Sequence, residues 1–325
     1  MHPAFSVIFL TTLIGAGQGL FLALYTGQLY ALARLLPEQD PMFYALGSAV
    51  ALVLLGLGLF ASFFHLGRPE RAWRTATMWR TSWLSREVIV LPIMMILVLA
   101  YGLAHGFGWT QPWITIAGTL PVDATLVIGL IGTLATFALF VSTAMIYASV
   151  RFLQEWHSPL TVANFLFLGI ASGFMLAAAY SAYLGNELVA FFGTWAVIAT
   201  LVGMASRIAM LIRNRRLTPK STLQTAIGVR HNAVRQITQG FTGGSFNTRE
   251  FFHGRGPQTL AMVRATYLTL VFPLPIALIG IAYVTESPTL PIAAFVIQYL
   301  GLLAERWSFF VEANHPQNLY YQRVA

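Results

Sequence analysis

The sequence predicts an all-α integral membrane protein, a bundle of eight transmembrane helices with both termini cytoplasmic. Three observations carry this. Of 325 residues, 57% are hydrophobic and only 9% charged, against about 25% charged in a soluble domain. The apolar residues fall in long continuous runs, which favours helices over a barrel, whose strands alternate. Lys and Arg segregate to one side of those runs.

A membrane helix needs about 20 mostly apolar residues. Eight runs qualify, at about 4–33, 42–65, 86–107, 123–150, 161–184, 188–212, 263–284 and 288–311. They form one membrane domain over 1–325, with a long cytoplasmic loop at 213–262. Span one carries Gly15 and Gly19 in a G-x-x-x-G pattern, and span five repeats it with Gly169 and Gly173, a signature of close helix packing. Span two ends at His65, where Gly67 breaks it. Span three starts near Ser85, read as its N-cap, with Glu87 in the first turn where the helix dipole favours a carboxylate. Span six carries Arg207 and span eight carries Glu305 and Arg306, all near one face. Pairing Arg207 with Glu305 would relieve two costly charges. Swapping the two charges should then restore an assembly that either single change breaks.

An even number of spans puts both termini on one side. The connections after spans two, four and six, the C-terminal tail and the adjoining helix halves then hold 18 of the 19 Lys and Arg residues; Arg34 alone lies opposite. By the positive-inside rule that face is cytoplasmic. No cleavable leader is expected, since Met-His-Pro lacks a basic stretch and the first apolar run is too long. The same segregation accounts for the pI near 10 without nucleic acid.

The composition excludes several chemistries. With no Cys, the chain holds no iron–sulfur cluster, disulfide or thiolate nucleophile. His65 and His105 end their helices at opposite faces, so no intramembrane pair is available for haem. No two His stand at the i, i+4 spacing of a helical metal site. The middles of the spans carry almost no charge; Gln18, Asn164 and Tyr180 are their main polar groups, which disfavours ion-coupled transport.

The titratable groups crowd instead into residues 62–87, SFFHLGRPERAWRTATMWRTSWLSRE. His65 and Glu87 should lie at similar depth on adjacent antiparallel spans, with Arg68 and Arg86 at the same level. A quinone site at a membrane edge needs an apolar slot, hydrogen-bond donors for the ring oxygens and a proton relay to water; His and a carboxylate supply that relay. The same residues also suit plain snorkelling and helix capping, and Trp73, Trp79 and Trp83 suit an interfacial belt. The loop 213–262 carries a positive surplus fitting anionic lipid or an acidic protein surface. Its first part could hold a short interfacial helix, and its FTGGSFNTREFF stretch favours a docking platform.

SFFHLGRPERAW leading into TSWLSREV, KSTLQTAIG after span six and the ending ERWSFFVEANHPQNLYYQ resemble the membrane-anchor subunits of dimethyl sulfoxide reductase and its relatives, over essentially the whole chain. The resemblance implies a three-part enzyme. A molybdopterin subunit performs the substrate chemistry and an iron–sulfur subunit delivers electrons. The anchor exchanges them with quinone, without haem, iron–sulfur cluster or molybdenum of its own. The resemblance places quinone handling (ubiquinone or menaquinone) at His65 and Glu87, with Gly67, Arg68, Trp83 and Arg86 around them. Partner docking is expected at Arg71, Arg74, Arg80, Arg215, Arg216 and Lys220. The MHPAFSVIFLTTLIGAGQG opening and HPQNLYY look most like the branch serving membrane-bound sulfite dehydrogenases, whose molybdenum subunit stays in the cytoplasm of the bacterial cell. Three other readings stay open on the sequence: an anchor that oxidises quinol for a dimethyl sulfoxide reductase, a purely structural anchor, and a small-molecule permease.

Overall fold

A computed structural model describes residues 2–116, 120–231, 233–235, 237 and 252–321. Among these, seven helical segments are long and apolar enough to cross a membrane. They are α1 (Phe5–Leu32), α2 (Pro41–Ser62, continued by a 3-10 turn at Phe63–His65), α3 (Trp83–Gly106), α4 (Ala124–Ala148), α5 (Pro159–Tyr183), α6 (Val189–Arg215), and the pair α8 (Pro257–Val271) and α9 (Pro273–Thr285). A further long helix, α10 (Thr289–Val311), closes the bundle. Shorter pieces are a 3-10 helix at Pro69–Met78, a hairpin of β1 (Ile114–Ile116) and β2 (Leu120–Val122), α7 (Leu223–Ile227) and α11 (Gln317–Tyr321).

Local chemistry sets the helix starts. Asp40 accepts the Met42 amide at 2.7 Å with Pro41 at the first helical position, and Asp123 accepts the Leu126 amide at 2.8 Å; each satisfies an amide that the helix itself leaves orphaned. At α3 the expected cap moves. Ser82, not Ser85, is the N-cap, with extended backbone (φ −108°, ψ 125°). Trp83 and Leu84 have joined the helix, so Ser85 falls inside the first turn and Glu87 in the second. The expected single span over 263–284 is two helices that begin earlier, at Pro257. Pro273 and Pro275 interrupt the ladder, and Phe272, the residue before the first, is driven out of helical geometry (φ −110°, ψ −80°).

Burial ranks the helices. The most apolar stretches of α1 and α5 are 83% and 67% buried, whereas those of α2, α3, α4 and α6 are 28–33% buried. Thus α1 and α5 form the axis and the others surround it with faces open to lipid. The two glycine motifs explain how the axis forms, because they pack against each other. A Cβ added at Gly173 would overlap the backbone of Gly19 and Leu20, and one at Gly19 would overlap that of Gly169. Such small residues let helix backbones touch, which is where van der Waals packing drives association in lipid. Gly173→Ala is therefore expected to cost at least about 1–3 kcal/mol. The yield and thermal stability of detergent-solubilised protein should fall well below those of Gly280→Ala, a position open to space; equal stability of the two variants would refute the crossing.

The loop after α6 is described only in part. Thr222 and Thr225 form a capping box at the start of α7, and Gly228 closes it in the left-handed region (φ 72°). FTGGSFNTREFF, Arg249 and Arg323 lie outside the described residues, apart from Phe252 at the end of that stretch.

Candidate functional site

Between α2 and α3 the chain stays close to the ends of both helices. His65 ends the 3-10 turn and is exposed, flanked by exposed Phe63 and Phe64. Gly67 has open space around it, since a Cβ there would touch nothing within 4 Å. Arg68, Arg71, Arg74 and Arg80 are exposed. Ser85 donates its hydroxyl to the Thr75 carbonyl, and Arg86 donates to the carbonyls of Trp79 and Arg80, at 2.9 Å each. The Arg86 guanidinium also lies 4.0 Å from the centre of the Trp83 ring. Arg86 therefore staples the connecting segment onto α3, with donors engaged by backbone.

Glu87 faces the other way. It is 7% exposed, and the Thr143 hydroxyl of α4 donates to its Oε1 at 2.5 Å. One turn further along α4, Tyr147 lies within electrostatic range of both Glu87 and Arg306. The hydrogen-bond partner of Glu87 is thus Thr143 rather than His65: one titratable group sits on the surface of the turn and the other inside the bundle mouth. Nothing in the sequence marks Thr143, a threonine among apolar residues. Only the rotation of α3 against α4 makes it a partner.

The second cluster joins five charges. Arg207 Nε lies 3.0 Å from Glu305 Oε1, and both side chains are fully buried. The other Glu305 oxygen lies 2.8 Å from Arg306 Nε. Glu312 continues the chain, with one oxygen 3.5 Å from Arg207 and the other bonded by Arg264 at 3.1 Å and by the Ser308 hydroxyl at 3.1 Å. The structure thus brings Arg207 and Glu305 together, but as part of a network of three arginines and two carboxylates. The Arg306 guanidinium lies 3.9 Å from the centre of the Phe165 ring, so an aromatic face takes up part of the surplus positive charge. The network ties α5, α6, α8 and α10 together at one end of the bundle.

Beside it opens a cleft of about 350 Å³ lined by Phe152, Glu155, Asn214, Lys220, Asn314 and His315, among others. Burial pushes the Glu155 carboxyl up from its ordinary value, partly offset by the bond from the Asn314 amide. Burial likewise pushes His315 down, which favours the neutral ring that accepts the Gln317 amide at 3.1 Å. Arg215, Arg216 and Lys220 are exposed on this surface. Arg213, not singled out by the sequence, donates to the carbonyls of Gln154 and His157 at 3.0 Å each and anchors the end of α6 to the turn after α4.

This geometry belongs to a helical chain with a titratable turn between α2 and α3, a five-charge network joining α6, α8 and α10, and no metal-binding cluster among the described residues. Comparison with known proteins agrees with it over the full length. The model for the DMSO reductase anchor subunit (DmsC) family matches residues 1–311. A sulfite dehydrogenase subunit of Allochromatium vinosum is 71% identical over 325 residues, covering 100% of each chain. A full-length likeness of this degree, joined to a family match over residues 1–311, shows that the chain is a membrane protein of the DMSO reductase anchor subunit family.

Proposed function

We propose that the chain is the quinone-reactive anchor of a three-subunit molybdopterin oxidoreductase, passing electrons from sulfite oxidation, by way of a partner iron–sulfur subunit, to quinone. The observation that carries the quinone reading is Glu87, a carboxyl held inside the bundle within two turns of the face that bears His65. The sulfite assignment rests on the full-length likeness to a sulfite dehydrogenase subunit. A chain without Cys carries no cluster of its own, so electrons must arrive from a partner.

The residues present fit a quinone head group. Quinone, when bound, supplies two-electron chemistry coupled to the uptake of two protons. His65, exposed at the lipid edge beside Phe63 and Phe64, is placed to donate a hydrogen bond to a ring oxygen and to exchange protons with water. The open space at Gly67 leaves the turn accessible. Thr143 fixes one oxygen of Glu87 and leaves the other to hold or release a proton. Arg86 and Ser85 hold the turn in place over α3.

In this reading α10 is the eighth span, since it packs lengthwise on α5 and α8 and the charged side chains at its end find partners within the bundle. Both termini then face the cytoplasm of a bacterial inner membrane, by the positive-inside bias. The partner subunits dock on that side, at Arg215, Arg216 and Lys220 around the cleft beside α7. A tag-fusion map placing the C-terminus in the periplasm would overturn the orientation.

The test uses the intact complex, purified in mild detergent with its co-purifying chains and metals identified. His65→Ala is expected to lower quinone-linked turnover on the order of a hundredfold. Turnover with an artificial acceptor that takes electrons from the partner subunits should be unchanged. Unaltered quinone-linked turnover would leave a purely structural anchor as the better account.

A further inference from the structure

The segment Pro69–Met78 is a 3-10 helix rather than an α-helix, and this decides which side chains line up. With three residues per turn, positions i and i+3 eclipse. An α-helix would instead rotate each such step by about 60° and fan the same residues round the surface. Here Arg71, Arg74 and Thr77 fall in one column, with Arg68 one step before and Arg80 one step beyond, and all five are exposed. Glu70, Trp73, Ala76 and Trp79 form the next column, in which Trp73 and Trp79 are 68% and 53% exposed. The two columns touch: the Arg74 and Arg80 guanidiniums lie 5.5 and 5.3 Å from the centres of the Trp73 and Trp79 rings.

The depth of this helix is also set. Its ends run into α2 and α3, two apolar helices entering the same face. Ser85, in the first turn of α3, bonds the Thr75 carbonyl midway along it, and Arg86 bonds the carbonyls at its end. So it lies along the level of the first turns of α3 rather than standing off in solvent. At about 2.0 Å per residue its ten residues cover about 20 Å of surface.

We infer that this helix rests in the headgroup layer and that its arginine column binds the phosphates of anionic phospholipid. A lipid surface matches both columns at once, offering phosphodiester charge to the arginines and the acyl boundary to Trp73 and Trp79, continued by exposed Phe63 and Phe64. The acidic neighbour within the helix is Glu70, 3.9 Å from Arg71 with both side chains largely exposed, which neutralises little. This assigns Arg71, Arg74 and Arg80 to lipid and leaves Arg215, Arg216 and Lys220 to the partner subunits. It is independent of the quinone reading, because lipid binding is measured without turnover.

The test titrates phosphatidylglycerol, with phosphatidylcholine as control, into the intact complex in neutral detergent, reading thermal stability and bound lipid. The variant R71Q/R74Q/R80Q is expected to lose on the order of a hundredfold in apparent affinity for phosphatidylglycerol and nothing for phosphatidylcholine. R71K/R74K/R80K should keep most of it. If the triple glutamine variant does not assemble, Arg74→Gln alone decides, with an expected loss of about fivefold. Loss of phosphatidylglycerol affinity supports the inference whether or not the partners stay bound. Unchanged affinity overturns it, and partner dissociation in that case would identify an acidic protein surface as the occupant.

Discussion

Glu305→Gln is expected to cost about 3–5 kcal/mol of stability, because it removes a carboxylate that touches two fully or nearly buried arginines. The cluster would then hold Arg207, Arg264 and Arg306 against Glu312 alone, leaving two positive charges uncompensated. Arg207→Met should be much milder: Glu305 keeps Arg306, Glu312 keeps Arg264, and the remaining charges balance. Removing one member of a buried ionic group is costly when it strands a charge, and here both remaining carboxylates still have an arginine partner. Thermal unfolding in detergent would read the order directly, and Arg207→Met falling further than Glu305→Gln would refute the network. The rescue expected of an isolated pair does not carry over to the double exchange of Arg207→Glu with Glu305→Arg. That exchange would set a carboxylate at position 207 against Glu312 and a guanidinium at position 305 against Arg306, so it should be worse than either single change.

The second large effect is on turnover. Glu87→Gln keeps the shape of the side chain and its bond with Thr143 but cannot cycle a proton. Quinone-linked turnover should fall by about 10²–10³-fold, with the partner subunits retained and artificial-acceptor activity intact. Thr143→Val removes the hydroxyl that holds the Glu87 carboxyl. A hydrogen bond contributes about 0.5–1.5 kcal/mol net, so a loss of roughly two- to tenfold is expected, recovered by Thr143→Ser. A pH–rate profile of the Thr143 variant should move relative to wild type, which a merely structural role would not produce. Wild-type quinone-linked turnover in Glu87→Gln would remove Glu87 from the mechanism.

These features are legible in the sequence only in part. The crowding at 62–87 is visible there, as is the pairing of Arg207 with Glu305, because charges next to apolar runs stand out in any membrane sequence. Spacing misplaces the cap of α3 because Ser82 and Ser85 are chemically equivalent; only the backbone angles at Ser82 show where the helix begins. Pro273 and Pro275 signal the break at Phe272, although hydropathy alone runs straight through them. The three-residue spacing of the arginines is visible in the sequence, but their alignment in one column depends on the 3-10 geometry that only the structure shows.

The sequence by itself determined that this is a helical membrane chain, poor in charge along its apolar runs and without cysteine. Those properties are sums over local composition, and lipid enforces them segment by segment. Tertiary structure alone decided that α1 and α5 cross at their glycines, that Glu87 turns to Thr143, and that one buried pair is part of a five-charge network. The physical reason is that each depends on how a helix is rotated and set against a neighbour far away in the chain, and a uniform apolar surface leaves that rotation unspecified until the helices pack.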